Sequence, residues 1–200
     1  MSIAHKLPDI RPTGDAVISI GVSRFISNHI SQHEYALIFT FSRLIRFSID
    51  RYLEAKKMQK IYLEDNKTLN MTSLVAFGSN IECFIDTLNR SALILGKLLE
   101  DYPIYYQILP DDVLSVQQNV YSLTREIRNK IQHLDTTVIG MKTKKIGSVI
   151  PYLNDTNEFE LDKKKISISK LLNWLDYFDK YADSIAKYNI KVTNESNKKN

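Results

Sequence analysis

Glycine and proline are so rare in this sequence that the chain has few places at which it can turn sharply. Only 6 glycines and 5 prolines occur in 200 residues, and these two residue types mark most tight turns. Between them lie long segments whose apolar residues recur at steps of three and four, which is the period of one helix face. The sequence therefore predicts a mainly all-α fold built from a few long helices.

The helical period predicts four or five helices and most of their ends. A helix over about 15–30 is the least regular, because Gly21 lies inside it. Asp111 follows Pro110 and is the predicted N-cap of the third long helix, since a carboxylate there accepts from unpaired backbone N–H groups. The long helices are predicted over about 32–63, about 71–99, about 110–135, and from Ser167 or Ser169 onward.

Residues 136–167 change from a helical to a β-forming pattern. β-formers are frequent over 146–152, and a cluster of turn formers follows at 154–157. Apolar residues return over 159–161 and at Ile166. This segment is therefore predicted to form a small β-hairpin.

The whole chain, residues 1–200, has the length of one domain with its own core. The lead-in 1–14 is predicted to be irregular, and the polar segment 192–200 to be a flexible tail. Long helices joined by short loops favour an up-and-down bundle. The predicted fold is thus mainly all-α, a bundle of four to five helices with a small β-hairpin inserted before the last helix.

Composition narrows the classes of function. The formal charge is only +4, which allows nucleic-acid binding without demanding it. Cys83 is the single cysteine, so an intrachain disulfide and a cysteine-based zinc site within one chain are excluded. The sequence shows no signal peptide and no run of about 18 apolar residues, so we expect a cytoplasmic protein without a membrane partner.

The polar side of the third long helix carries the residues best suited to chemistry: Arg128, Asn129 and His133. At about 100° per residue, they fall roughly 100–160° from the centre of the apolar stripe, so we expect them to face solvent or a partner chain. Histidine moves protons near neutral pH, arginine stabilises phosphoryl negative charge, and asparagine orients either group. Because RNA supplies its own 2′-hydroxyl nucleophile, such a site cuts RNA without a metal or cofactor.

The stretch 123–133, Leu-Thr-Arg-Glu-Ile-Arg-Asn-Lys-Ile-Gln-His, resembles the R-x4-H signature of HEPN domains in its R-N-x-x-x-H form. The resemblance implies a helical bundle with the signature on a late long helix. It implies metal-independent RNA cleavage, with Arg128 stabilising the phosphate, His133 as acid or base, and Asn129 as the polar residue after the arginine. One HEPN subgroup carries R-x4-H-x-Y, and this chain departs from it because Asp135 occupies the tyrosine position.

Members of this family usually act as dimers and recur in toxin–antitoxin, abortive-infection and CRISPR-associated systems. Arg128 and His133 diverge by about 140° around their helix, so two antiparallel copies would bring them together across a two-fold axis. We therefore expect a homodimeric endoribonuclease, with an antitoxin or defence-system protein as a further partner. The alternative is a non-catalytic helical module that binds RNA, a nucleotide or a protein.

Three lysines after the signature are candidates for a further contact with RNA. Lys142, Lys144 and Lys145 follow His133 closely and are candidates for attracting RNA phosphates. A lysine-rich loop is more often simply solvated. Both interpretations stay open at the level of sequence.

Other features have more ordinary interpretations. His29 and His33, with Glu34 beside them, have metal-ligand spacing but lack a full ligand set, so no metal site is predicted. The aromatic row on the last helix favours core packing over an interface. The polar stripe on the second long helix is interpreted as a solvated face, although one of its carboxylates is able to orient Arg128. The row comprises Trp174, Tyr177 and Tyr181, and the stripe comprises Ser79, Glu82, Asp86 and Asn89.

Overall fold

The structure is a computed structural model that describes residues 6–10, 30–64, 71–132, 152–153, 158–161 and 164–197. Within these ranges the chain is mainly α-helical, as predicted, with a small antiparallel sheet before the last helix. The elements are α1 (Gln32–Glu64), α2 (Met71–Asp101), a 3-10 turn (Pro103–Gln107), α3 (Val113–Gln132), β1 (Tyr152–Leu153), β2 (Glu158–Leu161), β3 (Lys164–Ser167) and α4 (Ile168–Asn197).

Contacts between side chains show that α1 and α2 run antiparallel. The hydroxyls of Ser48 and Thr87 are hydrogen-bonded at 2.8 Å. Arg51, one turn later in α1, donates to Asn80, which lies about two turns earlier in α2. The order of contacts is therefore reversed along the two helices, as in an up-and-down bundle.

The pairs α2–α3 and α1–α4 are also antiparallel. Gln117, early in α3, donates to the carbonyl oxygen of Ala92, whereas Arg128 near the end of α3 contacts Asp86. In α4, Phe178 lies edge-on against Phe41 of α1, at 5.7 Å between ring centroids. Tyr105 contacts both Glu34, earlier in α1, and Asn189, later in α4, so these two helices also run in opposite directions. The four helices thus alternate in direction around a shared core.

That core is made by one apolar stripe from each helix, on the faces that the three- and four-residue spacing predicts. Burying each large side chain stabilises the fold by about 1.5–3 kcal/mol relative to leaving it exposed. The innermost residues include Phe41, Ile45 and Tyr52 of α1, Ile81, Phe84, Leu88 and Leu95 of α2, Val120 and Ile127 of α3, and Leu171, Phe178 and Ile185 of α4.

The sheet has three strands in the order β1-β2-β3, all antiparallel. Phe159 in β2 pairs with Ile166 in β3, and both side chains are buried in the core. The predicted β-hairpin is therefore present, but Ile166 belongs to a strand of its own rather than to the strand of Phe159. Residues 136–151, which include most of the first predicted strand, lie outside the described residues.

Several predicted ends shift by a residue or more. Helix α3 begins at Val113 and the carbonyl of Asp112 accepts its first helical hydrogen bond, so Asp112 and not Asp111 holds the N-cap position. Helix α4 continues through Asn197, past the start of the tail predicted for 192–200. Residues 15–29 of the predicted first helix and the predicted end of α3 near Asp135 lie outside the described residues.

The length and hydropathy of the helices bear on whether they span a membrane. Among the described residues, no helix is both long and apolar enough to cross a lipid bilayer.

Candidate functional site

Arg128 and Asn129 lie in the last turns of α3, which the structure describes as far as Gln132. Asn129 is exposed, as the helical wheel predicts. Arg128 is only half-buried, because its side chain reaches back toward α2 instead of pointing away from the bundle. His133 follows Gln132 directly but lies outside the described residues, as do Lys142, Lys144 and Lys145.

An ion pair across two helices holds Arg128 in place. Its Nε donates to Oδ1 of Asp86 on α2 at 2.5 Å. The two side chains are 33% and 36% exposed, so the pair lies at the surface. Because the hydrogen bond uses Nε, the two terminal amino groups of the guanidinium are not committed to Asp86, and these are the groups that bind a phosphate bidentately.

The ion pair forms part of the wall of an open groove of about 380 Å³, which we call the Arg128 groove. Helix α2 supplies most of its lining, α1 supplies one aromatic ring and α3 supplies Arg128. The volume falls in the range of small-ligand sites. The lining residues are Phe47, Glu82, Cys83, Asp86, Thr87, Arg90 and Arg128.

Two carboxylates in the Arg128 groove differ in their surroundings. Asp86 is paired with Arg128. Glu82, one turn earlier on α2, is half-buried, and its burial raises the pKa of the carboxyl above the usual value of 4.5. Desolvation disfavours the charged form of an acid. The site therefore combines a fixed ion pair with a carboxyl that takes up a proton more readily than an exposed one.

Arg128, Asn129 and a stripe carboxylate that orients Arg128 were predicted from the sequence, whereas the other walls of the Arg128 groove were not. Phe47 is 41% exposed and lines the groove from α1. The guanidinium carbon of Arg51 lies over its ring, 4.5 Å from the centroid. Arg90, two turns after Glu82 on α2, is exposed. The four-residue spacing of arginines around Phe47 on α1 was the available signal.

The polar stripe of α2 does not form one solvated face, which corrects the predicted interpretation. Ser79 is exposed, but Asn89 is only 2% exposed because α3 covers it. Its amide donates to the backbone oxygen of Tyr121 and to Oγ1 of Thr124. The stripe therefore divides into a part that packs against α3 and a part that faces the Arg128 groove.

The remaining candidates from the sequence are structural. Trp174 and Tyr181 are buried in the core as predicted, whereas Tyr177 is exposed and stacks beside Tyr181. His33 is hydrogen-bonded to Asp101 at 3.0 Å, and His29 lies outside the described residues. Over the part of the chain that the structure describes, no three metal-ligating side chains lie together.

Comparisons with protein-family models, with curated proteins and with solved structures find no match to this chain.

Proposed function

We propose that this protein is a metal-independent endoribonuclease that cleaves RNA through Arg128 and His133. The observation that carries the proposal is the setting of Arg128. Its Nε is fixed by Asp86, its terminal amino groups make no hydrogen bond with any residue that the structure describes, and it lines an open groove five residues before a histidine in the sequence. RNA cleavage requires at least a fixed cation and a proton-transfer group that act on the same phosphate.

The reaction is an in-line transesterification. A base removes the proton of the ribose 2′-hydroxyl, the 2′-oxygen forms a bond to phosphorus, and the bond from phosphorus to the 5′-oxygen breaks. An acid protonates the leaving 5′-oxygen, so the products carry a 2′,3′-cyclic phosphate and a 5′-hydroxyl. His133 fills the role of acid or base, since imidazole side chains in general exchange protons near neutral pH, and water fills the other role. Arg128 stabilises the negative charge that develops on the phosphate oxygens, and Asn129 positions the RNA.

The site is proposed to be composite, formed by two copies of the chain. A five-residue spacing corresponds to about 140° around a helix axis, so a helix that continued through His133 would present Arg128 and His133 poorly to a single phosphate. Two antiparallel copies related by a two-fold axis pair the arginine of one with the histidine of the other. A monomer in light scattering at micromolar concentration contradicts this arrangement.

Cleavage of end-labelled RNA in the presence of EDTA tests the proposal. The wild type should produce cyclic-phosphate ends, while Arg128→Ala and His133→Ala should each lose activity by 10²-fold or more, an order of magnitude typical of acid–base and charge-stabilising groups. Arg125→Ala is the matched control, because Arg125 is an exposed arginine three residues earlier whose guanidinium lies over Tyr121. Wild-type cutting that survives in both variants contradicts the assignment.

Mixing the two inactive variants tests the composite site. If each site takes its arginine from one chain and its histidine from the other, a mixed dimer retains one intact site. An equal mixture should then recover roughly a quarter of wild-type activity, since half of the dimers are mixed. No recovery after subunit exchange shows that each site is formed within one chain.

A role as a cytoplasmic toxin or defence effector, with an antitoxin or defence-system partner, is part of the proposal and rests on the HEPN resemblance alone. A folded dimeric wild type that leaves RNA intact favours the alternative, a non-catalytic module that binds RNA, a nucleotide or a protein. RNA binding without cutting then distinguishes an RNA module from the others.

A further inference from the structure

Helix α1 places an aromatic ring between two arginines at the edge of the Arg128 groove. Arg43, Phe47 and Arg51 are spaced by four residues, so they follow one another along one face of α1. Phe47 remains 41% exposed although the Arg51 guanidinium lies over its ring at 4.5 Å. Arg51 is itself held by Asn80, to whose Oδ1 its Nη1 donates at 3.3 Å. The guanidinium thus covers one face of the ring and holds the ring in place.

The groove and the adjoining face of α1 carry further cations, besides the two groove carboxylates Glu82 and Asp86. Arg90 and Arg128 line the groove, and Arg43 lies one turn before Phe47 on α1. Arg43 and Arg90 are exposed, and neither makes a hydrogen bond or ion pair with any residue that the structure describes. Exposed arginines without an acidic partner are available to bind an external anion.

We propose that the Arg128 groove binds single-stranded RNA, with a base stacked on the exposed part of the Phe47 ring and neighbouring phosphates bound by Arg43 and Arg90. A π-face beside guanidinium groups matches a nucleotide, whose base stacks and whose phosphate accepts bidentate hydrogen bonds. A duplex keeps its bases stacked on one another, so only an unpaired strand presents a base to the ring. The choice of RNA rests on the proposed function, whereas the exposed ring in the groove predicts that the bound strand is unpaired.

Binding of a labelled 2′-O-methyl oligouridylate measures this site without cleavage, because the probe lacks a free 2′-hydroxyl. Phe47→Ala should weaken binding about tenfold, the scale of one stacked base, whereas Phe47→Trp should retain it. Leu53→Ala is the matched control, since Leu53 is 42% exposed on the same helix against 41% for Phe47. Equal binding by Phe47→Ala and Leu53→Ala, or equal binding of the same sequence in a duplex, overturns the proposal.

The salt dependence of binding isolates the phosphate contacts. Each phosphate contact on a single strand contributes about 0.7 to the slope of log affinity against log salt concentration. Arg43→Ala and Arg90→Ala should each reduce the slope by about that amount, whereas Arg125→Ala, outside the groove, should not change it. A slope that is unchanged in both groove variants counts against phosphate binding at this surface.

Cys83 reports occupancy of the groove directly, because it is the single cysteine of the chain, is exposed and lines the groove. The oligouridylate should slow its modification by N-ethylmaleimide in the wild type and much less in Phe47→Ala. Binding that leaves Cys83 fully reactive places the RNA elsewhere. If the oligouridylate protects Cys83 but natural RNA is not cleaved, RNA binding in the groove is supported and the ribonuclease proposal is contradicted. If natural RNA is cleaved but Cys83 is not protected, the ribonuclease proposal is supported and RNA binding in the groove is contradicted.

Discussion

Two clusters of polar side chains differ in what they contribute to the protein. In the Tyr105 cluster, where the 3-10 turn meets the start of α1 and the end of α4, the Tyr105 hydroxyl donates to Oε1 of Glu34 at 2.7 Å and lies 3.4 Å from Oδ1 of Asn189. Tyr105 is completely buried and Asn189 is 3% exposed. In the Arg128 groove, Arg128 and Asp86 are each about one-third exposed and Arg90 lies beside them.

Burial determines what each cluster contributes. A hydrogen bond to a charged group inside the protein stabilises the fold by about 1.5–3 kcal/mol, and a buried group left without its partner is costly. An exposed ion pair contributes about 0–1 kcal/mol, because water and salt compete for both charges. The Tyr105 cluster therefore holds three elements together, whereas the groove leaves its cations accessible to a ligand.

The largest loss of stability is expected at the Tyr105 cluster. Tyr105→Phe removes the hydroxyl and leaves Glu34 without its donor, so the free energy of unfolding should fall by about 2 kcal/mol. Urea denaturation measures the change, and RNA cleavage in EDTA should be unaffected. Tyr106→Phe is the matched control, since Tyr106 is 41% exposed. A loss of less than about 0.5 kcal/mol removes the distinction between the clusters.

A smaller effect on stability is expected at the groove, together with a larger effect on activity. Asp86→Ala should lower the free energy of unfolding by less than about 1 kcal/mol, because the ion pair that it removes is exposed. Cleavage should nevertheless fall about 10- to 100-fold, since Arg128 loses the partner that fixes its orientation. Asp86→Asn keeps an oxygen acceptor for Nε and should recover part of the activity.

Asp50→Ala is the control for that variant. It removes an exposed ion pair with Arg46 on α1 and should leave cleavage unchanged. If Asp86→Ala destabilises the protein as much as Tyr105→Phe and cleaves RNA normally, the ion pair serves the fold and not the reaction, as the hydrogen bonds of the Tyr105 cluster do.

The sequence predicted the helices well because their stripes are a local property of spacing. The faces of Phe41, Ile81 and Phe178 follow from steps of three and four residues, whatever packs against them. Ends were less accurate, since Asp111 and Asp112 are equally good caps and only the hydrogen bond from Val116 to Asp112 decides between them.

The groove was harder to predict because it depends on which helices become neighbours. A helical wheel gives the angle of Arg128 but not the reach of its side chain, which bends back to Asp86. Asn89 belongs to a polar stripe and is nevertheless buried, because α3 lies over it. That Phe47 and Arg90 line the same groove follows from the register of α1 on α2, which neither segment specifies alone.

The ionisation of Glu82 should make a small, pH-dependent contribution to the free energy of unfolding. Glu82 lines the Arg128 groove together with Asp86, Arg90 and Arg128, and burial raises the pKa of its carboxyl above the usual 4.5. Between 4.5 and the raised value, the folded protein binds more protons than the unfolded chain, so stability declines as pH rises through that window. Glu82→Gln, which carries no charge, should therefore be more stable than the wild type at pH 7, and the difference should vanish as pH falls to 4.5.

Urea denaturation of both proteins across this pH range measures the difference, with Glu100→Gln, an exposed carboxylate on the same helix, as the control for losing one charge. A Glu82→Gln variant that is less stable than the wild type at pH 7 means that the carboxylate is paired with a cation in the groove. Glu82 would then stabilise the fold as Glu34 does, and the groove would be a second closed cluster. Greater stability at neutral pH, with RNA binding retained, instead identifies Glu82 as a carboxyl kept partly desolvated beside cations that are free to bind phosphate.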